Sequence, residues 1–392
     1  MVKIIRKDRV GIILMLIAIL ASLVSQNPFF IENGSYQWLK FTWGFPIAYY
    51  ILVSPIVFFS RRNLTFFTFI LLFFTYSLFC EAITSNDYLG DDLVNIIMSS
   101  LICVTSYVFW YNNQNERLLR DLCWLVLIGG VFLSWIVYSK YLIGADLTMG
   151  YAYGPKNSLS TILLCCAVIA LLNYKPQQLI LKIIYYGLSI YVLFVILFLR
   201  SRATFLGAFF ILFYMIFKSD KKKLKLLLVG LVALSILLIV LNKDVYDLIV
   251  LIFMGTTEDV SDLDSLSSGR TFIIADAVNS IKEHPFIGIG NRYIESMPIA
   301  MVAQYGILGA PIVFLFLLYL YWEAYKKDKQ NTVSLTGYLL LVAFLINSIF
   351  EAQAPFGPGA KSFLMWMFLG FAYAMPSSKK SHGKSMERVL DC

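Results

Sequence analysis

The chain has 392 residues, of which 59% are apolar and 14% are charged, whereas a soluble globular protein has about 25% charged residues. This composition excludes a soluble globular enzyme, and it excludes a disordered chain, because disorder requires few apolar residues. The net charge of +8 does not indicate nucleic-acid binding, because in a membrane protein the charge of each loop is more informative than the net charge of the whole chain. The sequence therefore predicts a polytopic membrane protein without a nucleic-acid partner.

Apolar runs separated by polar breaks predict an all-α fold with about twelve membrane-spanning helices. They lie near residues 10–24, 41–59, 64–83, 92–111, 122–143, 158–173, 179–199, 203–218, 224–241, 299–322, 333–350 and 361–375. The first run follows a basic segment but lacks a small-residue cleavage site, so we expect it to remain as the first span. Five of the six cysteines fall in these runs and are expected to be small core residues.

The basic residues predict how these spans are oriented. With a cytoplasmic N-terminus, 22 of the 32 Lys and Arg residues lie on the inner side, as the positive-inside rule requires. Both termini are then cytoplasmic, and a long outer loop separates the ninth and tenth spans. The chain divides into a membrane domain over 1–241, the extracytoplasmic loop over 242–298, a second membrane segment over 299–375 and a cytoplasmic tail over 376–392.

The outer loop is predicted to be a structured cap with a helix of its own. The helix is expected from about Thr271 to Glu283, and His284-Pro285 is expected to end it. Ile274, Val278 and Ile281 recur at helical spacing, which predicts the face that packs on the membrane domain.

Several basic residues stand at the predicted outer face, where positive charge is disfavoured. Arg200 and Arg202 lie in a very short turn between the seventh and eighth spans, so they need an anionic partner, which is a substrate, an outer carboxylate or a lipid headgroup. Lys156 and Asn157 follow a Gly-Pro turn on the same side, where they contact a substrate or only close the turn.

Two more arginines belong to the outer loop. Arg270 opens its helix, where backbone N–H groups and a guanidinium together can hold phosphate. Arg292 follows a Gly-Ile-Gly-Asn segment and is a weaker candidate for binding the same substrate.

Two carboxylates are candidates for the chemistry. Glu295 lies just before the tenth span, where it is either a salt-bridge partner or a general base that removes a hydroxyl proton. Glu351, after the eleventh span, is a second candidate. The chain has two histidines and no metal-binding or phosphate-loop motif, so neither a metal nor a cofactor is expected.

The order of several short motifs resembles the O-antigen ligase and polymerase superfamily of bacteria, which includes the Wzy-type polysaccharide polymerases. The motifs are Gly154-Pro155-Lys156-Asn157, Ser201-Arg202-Ala203, Gly269-Arg270, His284-Pro285-Phe286-Ile287-Gly288-Ile289-Gly290, Glu295-Ser296 and Gln304-Tyr305-Gly306-Ile307-Leu308-Gly309. The resemblance covers most of the chain and rests on the order and spacing of these motifs with the late outer loop.

The resemblance implies a GT-C-like membrane glycosyltransferase that uses no metal and acts on undecaprenyl-pyrophosphate-linked saccharides outside the inner membrane. Arg202 and Arg270 match the family's pyrophosphate-binding arginines. Ligases of the family have a His-Asn pair where this chain has Glu295-Ser296, which favours a polymerase of O-antigen or capsule repeat units, with Glu295 as base.

Two alternatives remain open on the sequence. One is a ligase that transfers glycan to a lipid core, as in lipopolysaccharide, or to a protein, and the other is a flippase or transporter of lipid-linked oligosaccharides. Transporters commonly show two similar halves with a long central connection, whereas here the long loop is late and external. A polymerase would have membrane lipid around it, with a chain-length regulator and a separate flippase as possible partners.

Overall fold

The computed structural model describes residues 8–139, 156–199, 201–218, 226, 270–327, 331–351, 353–357 and 359–375. Within these ranges all regular structure is helical. The predicted ninth span, apart from Leu226, lies outside the described residues. So do Arg200, the outer loop before residue 270, and the tail 376–392.

The described residues form fifteen α-helices. They are α1 (Arg9–Val24), α2 (Pro28–Glu32), α3 (Tyr36–Lys40), α4 (Gly44–Val53), α5 (Pro55–Phe58), α6 (Leu64–Thr84), α7 (Asp91–Asn113), α8 (Glu116–Val137), α9 (Lys156–Asn173), α10 (Leu179–Phe198), α11 (Arg202–Lys218), α12 (Arg270–Glu283), α13 (Met297–Lys327), α14 (Thr332–Ser348) and α15 (Phe363–Ala374). Short 3₁₀ turns precede α4 and α15, at Phe41–Trp43 and Gly359–Ser362.

Six of these helices, α6 to α10 and α13, are long and apolar enough to cross a membrane. α15 lies at the centre of the bundle against α7 and α14, and each of its residues from Phe363 to Tyr373 is buried. α6 and α10 instead expose apolar side chains such as Leu71 and Ile180, which a lipid environment favours over water. The prediction of an all-α polytopic membrane protein is confirmed, while the count of twelve spans and the location of the termini stay predictions.

Five cysteines are buried free thiols, which confirms that they are small core residues. They are Cys80, Cys103, Cys123, Cys165 and Cys166. Cys392 belongs to the tail outside the described residues.

The predicted second span is not one continuous helix. The segment 41–59 is divided into a 3₁₀ turn, α4 and α5, with a break at Ser54 between the two helices. Pro55 explains the break, because its ring disfavours the helical conformation of the preceding residue and it lacks an N–H group.

The helix α13 is interrupted at Gly306, which adopts a left-handed conformation with φ of 64°. The segment 285–290, called the glycine loop below, docks at this interruption. The N–H groups of Ile289 and Gly290 donate to the carbonyls of Ala303 and Gln304, at 2.9 and 3.0 Å. In return, the N–H groups of residues 307 and 308 donate to carbonyls of the glycine loop. Backbone groups freed by the break are therefore paired, as a membrane interior requires.

The helix predicted in the outer loop is confirmed as α12, which packs against α13. The predicted contact face is partly wrong, because Val278 is 39% exposed. The buried residue at the centre of the contact is Ala277, and Ile273 and Ile281 pack beside it. Ala277 belongs to one buried cluster with Ala300 and Ala303 of α13.

Segments that the sequence places on the outer side contact one another. The ammonium group of Lys40 lies 4.0 Å from the carboxylate of Asp91, and the N–H of Asn291 donates to the carbonyl of Asp87 at 2.6 Å. Tyr88 is fully buried between these segments and donates its hydroxyl to the carbonyl of Gly288 at 2.9 Å. Burial raises the pKa of Tyr88, so the phenol keeps the proton that this hydrogen bond uses.

Candidate functional site

The N-terminus of α9, the turn after α14 and the turn before α15 meet at one polar centre. Asn157, the second residue of α9, donates its side-chain amide to Oε1 of Glu351. The other carboxylate oxygen of Glu351 lies 3.7 Å from Nζ of Lys361, whose side chain is only 2% exposed. A buried ammonium group is stable only with a partner, so Glu351 and Lys361 form a structural ion pair that also fixes the start of α9.

Hydroxyl groups join this centre to the start of α11. The hydroxyl of Thr204 lies 2.9 Å from those of both Ser160 and Ser201. Thr161 donates its hydroxyl to the carbonyl of Asn157 at 2.6 Å. All four hydroxyl-bearing residues are buried, so α9 and α11 are held in a fixed register at this end of the bundle.

Arg202 is the first residue of α11, and its side chain is exposed beside this buried hydroxyl cluster. Lys156 is the first residue of α9 and is half-buried. Of the predicted site residues, the structure therefore brings Lys156, Asn157, Arg202 and Glu351 to one end of the bundle. Of these, Arg202 is exposed and Lys156 is half-buried, so both cationic groups lie near the surface of this end of the bundle.

The described residues of the predicted outer loop form a second group beside α13. The guanidinium of Arg292 makes an ion pair with Asp276 of α12, and both side chains are about half exposed. Arg270 is the first residue of α12, and its side chain lies outside the described part of the structure. Arg292 thus has a carboxylate partner that the sequence did not indicate.

Glu295 precedes α13 by two residues and is half-buried. Its Oε1 accepts a hydrogen bond of 3.3 Å from the hydroxyl of Tyr293, whose side chain is 66% exposed. A partly exposed carboxylate therefore lies next to an exposed hydroxyl group that donates to it.

A buried polar network lies between the two groups. Asn95 of α7 donates its amide to Oε1 of Gln353 at 3.2 Å, and Gln353 is two residues from Glu351. The carboxylate of Asp92 interacts with the side-chain amides of Gln353 and Gln304. The amide of Gln304 in turn donates to the carbonyl of Arg292. Through these side chains α7 connects the Glu351 centre to the loop that carries Arg292 and Glu295.

Sequence reasoning missed Lys361, Asp276 and Asp92. Lys361 offered a signal, since it is a lone basic residue at the predicted outer end of a span. No such signal marked Asp276 or Asp92. The part of the chain that the structure describes brings no three His, Cys, Asp or Glu residues close enough to hold a metal ion.

Comparison with known proteins finds one family. The O-antigen ligase family matches residues 187–311, a region that contains Arg202, Arg270, Arg292 and Glu295. Among curated proteins, none matches the chain. The matched region includes α12, the glycine loop and the first part of α13 with its break at Gly306, so it contains all of the motifs named above except Gly154-Pro155-Lys156-Asn157. Residues 187–311 are thus similar to the O-antigen ligase family, and this similarity supports the resemblance of the chain to the O-antigen ligase and polymerase superfamily.

Proposed function

We propose that the protein polymerises lipid-pyrophosphate-linked oligosaccharide repeat units at the outer face of the bacterial inner membrane. The observation that carries this proposal is the carboxylate of Glu295 at the place where the ligases of the superfamily are expected to have a His-Asn pair. The chain has two histidines, and His284 is exposed after α12 while His382 belongs to the tail. A base other than histidine is therefore needed, and Glu295 is the carboxylate in the matching position.

The proposed reaction is a single displacement at the anomeric carbon of the donor sugar. A hydroxyl oxygen of the acceptor glycan forms a bond to that carbon, and the bond to the pyrophosphate oxygen breaks with inversion. Glu295 takes the hydroxyl proton, and the lipid pyrophosphate leaves as an anion. Positioning and charge stabilisation are the main contributions that the protein makes to such a reaction.

Arg202 and Arg270 are proposed to stabilise the departing pyrophosphate, with Arg292, Lys156 and Asn157 binding the rest of the substrate. An arginine keeps its charge at all accessible pH values and can pair two phosphate oxygens with its planar fork. The exposed position of Arg202 at the start of α11 suits this role, because a lipid-linked pyrophosphate lies at the membrane surface.

The test uses purified protein in nanodiscs with a chemically defined lipid-pyrophosphate oligosaccharide, without added metal or nucleotide sugar. Product length is read on a gel, and a ladder of longer lipid-linked chains is expected. Glu295→Gln should lower the rate by about 10²–10⁴-fold, the usual contribution of a general base. Glu283→Gln, which changes an exposed carboxylate at the end of α12, is the matched control and should keep the wild-type rate.

Arg202→Ala should lower the rate by about 10²-fold, a loss typical of one charge-stabilising group. Arg117→Ala, at an exposed arginine of α8, is its control. Transfer of a single unit to a different acceptor would identify a ligase instead. Absence of transfer, with movement of the intact donor across the membrane, would identify a transporter.

A further inference from the structure

A groove open to the surroundings of the bundle lies between α6 and α13. Its volume is about 600 Å³, within the range of about 300–1,000 Å³ that is typical of ligand pockets. The stacked rings of Phe69 and Phe316, with centroids 3.7 Å apart, lie buried at its base. Leu72 and Leu315 are largely exposed at its sides, and Arg61 stands at one end.

The groove lies in the half of the bundle that is farther from the candidate site. α6 and α13 run antiparallel, since Tyr76 contacts the carbonyl of Tyr305 near the site end and Phe69 stacks on Phe316 farther away. Arg61 precedes the start of α6, whereas the loop after the other end of α6 docks on Asn291. Arg61 therefore belongs to the membrane face opposite Glu295, which is the cytoplasmic face in the predicted orientation.

The other described cations beside this end of α6 and α13 already have partners within the protein. The guanidinium of Arg62 lies 5.6 Å from the ring centre of Tyr107. Nζ of Lys326 lies 2.9 Å from the carboxylate of Glu323, and Nζ of Lys327 donates to the carbonyl of Tyr373 at 2.8 Å. Arg61 is exposed, and no carboxylate of the described ranges lies within ion-pair distance of it. Its charge is thus available to an anion at the end of the groove.

We infer that this groove binds an anionic phospholipid of the leaflet opposite the candidate site. One acyl chain lies over the Phe69 and Phe316 rings, and the headgroup phosphate pairs with the guanidinium of Arg61. Moving an acyl chain from the bilayer into an apolar groove exchanges one apolar environment for another, so selectivity has to come from the headgroup. Arginine suits that contact because its fork matches phosphate geometry, and anionic lipids are abundant in the cytoplasmic leaflet.

The experiment measures lipids retained by the full chain in native mass spectrometry. The protein is mixed in detergent with equal amounts of phosphatidylglycerol and phosphatidylcholine that carry the same acyl chains. Phosphatidylglycerol should be retained preferentially by the wild-type protein. Arg61→Gln should lower its retention about fivefold, the effect expected for one basic residue at an anionic lipid surface.

A second variant tests the groove itself. Thr68 lines the groove and is exposed, so Thr68→Trp should fill the space and release the same lipid. Leu71→Trp, on the lipid-facing side of α6 outside the groove, is its control, and Arg117→Gln is the control for Arg61→Gln. Both controls should retain phosphatidylglycerol as the wild type does.

Three results would overturn the inference. Equal retention of the two lipids by the wild type would mean that only an unselective lipid annulus is present. Equal losses in Arg61→Gln and Arg117→Gln would mean that the whole basic face attracts the lipid. Loss with Arg61→Gln but not with Thr68→Trp would mean that the lipid binds at the charge without entering the groove. All of these results concern lipid retention alone and do not depend on the proposed polymerase activity.

Discussion

Replacing Lys361 by methionine tests whether the ion pair with Glu351 organises the end of the bundle that holds the starts of α9 and α11. Methionine is an unbranched side chain one atom shorter than lysine, so it keeps most of the packing but removes the charge. The carboxylate of Glu351, whose side chain is 14% exposed, would then lose its ammonium partner and keep the amide of Asn157. Protein stability should fall, because removal of one member of a buried pair leaves the other charge uncompensated.

The size of the effect follows from the geometry. At a separation of 3.7 Å, an effective dielectric constant of about 20 gives an attraction of about 4 kcal/mol. Loss of one partner of a buried pair typically costs about 3–5 kcal/mol, which is the same range. The double variant Lys361→Met/Glu351→Gln contains neither charge and should be more stable than Lys361→Met alone.

The assay can use the protein's own cysteines. Five buried thiols become reactive when the bundle unfolds, so a thiol-reactive fluorogenic dye reports unfolding on heating. We expect the wild type to unfold at the highest temperature, the double variant at a lower temperature and Lys361→Met at the lowest. Lys282→Met, at an exposed lysine of α12, should unfold like the wild type. If the double variant were as unstable as the sum of its single variants, the two residues would not interact and the reasoning would be refuted.

Three further predictions use the same unfolding assay. Gly306→Ala should cost at least about 2 kcal/mol, because its φ of 64° disfavours a side chain and a Cβ would overlap a carbonyl of the glycine loop. Gly187→Ala, where a Cβ meets open space, should be neutral or stabilising by up to about 1 kcal/mol, and a loss equal to that of Gly306→Ala would contradict the argument. Tyr88→Phe should cost about 1 kcal/mol, since a buried carbonyl loses its donor, and an unchanged unfolding temperature would argue against that bond. Arg292→Ala and Asp276→Ala should each change stability by less than about 1 kcal/mol because this pair is exposed, and a larger loss would indicate a buried role.

The sequence predicted the helices well where apolar runs were long. It predicted them less well where one or two residues decide where a helix breaks or which face it buries. The run 41–59 is apolar except for Thr42 and Ser54, so composition alone suggested one span, whereas Pro55 divides it. On α12 the pattern of Ile274, Val278 and Ile281 predicted a contact face centred on Val278, whereas the observed face is centred on Ala277. Small residues such as Ala277 carry little weight in an apolar pattern although they pack closely. The break in α13 could not be predicted, because pairing with the glycine loop decides whether the chain bends at Gly306.

The candidate site was predictable as a set of residue types but not as a set of partners. Asn157 and Glu351 were each chosen for their place at a predicted outer edge, and they are in contact across 194 positions of sequence. Lys361 was overlooked because a lysine just before an apolar run normally marks only the end of a span. Partners of this kind depend on which helix ends meet in the bundle, and periodicity within one helix carries no information about that.

Glu351 and Glu295 differ in the groups that contact their carboxylate oxygens. This difference indicates a different role for each residue. Both oxygens of Glu351 are engaged, one by the amide of Asn157 and the other by the ammonium group of Lys361. A proton transferred to Glu351 during catalysis would remove the negative charge that a 2% exposed lysine requires, so Glu351 is suited to remain a fixed anion. Glu295 is partly exposed and receives a hydrogen bond from the hydroxyl of Tyr293, the kind of contact that an acceptor hydroxyl would make before it loses its proton. Glu351→Gln should therefore lower stability, whereas Glu295→Gln should lower turnover at an unchanged unfolding temperature. The opposite pattern would exchange the roles of the two residues.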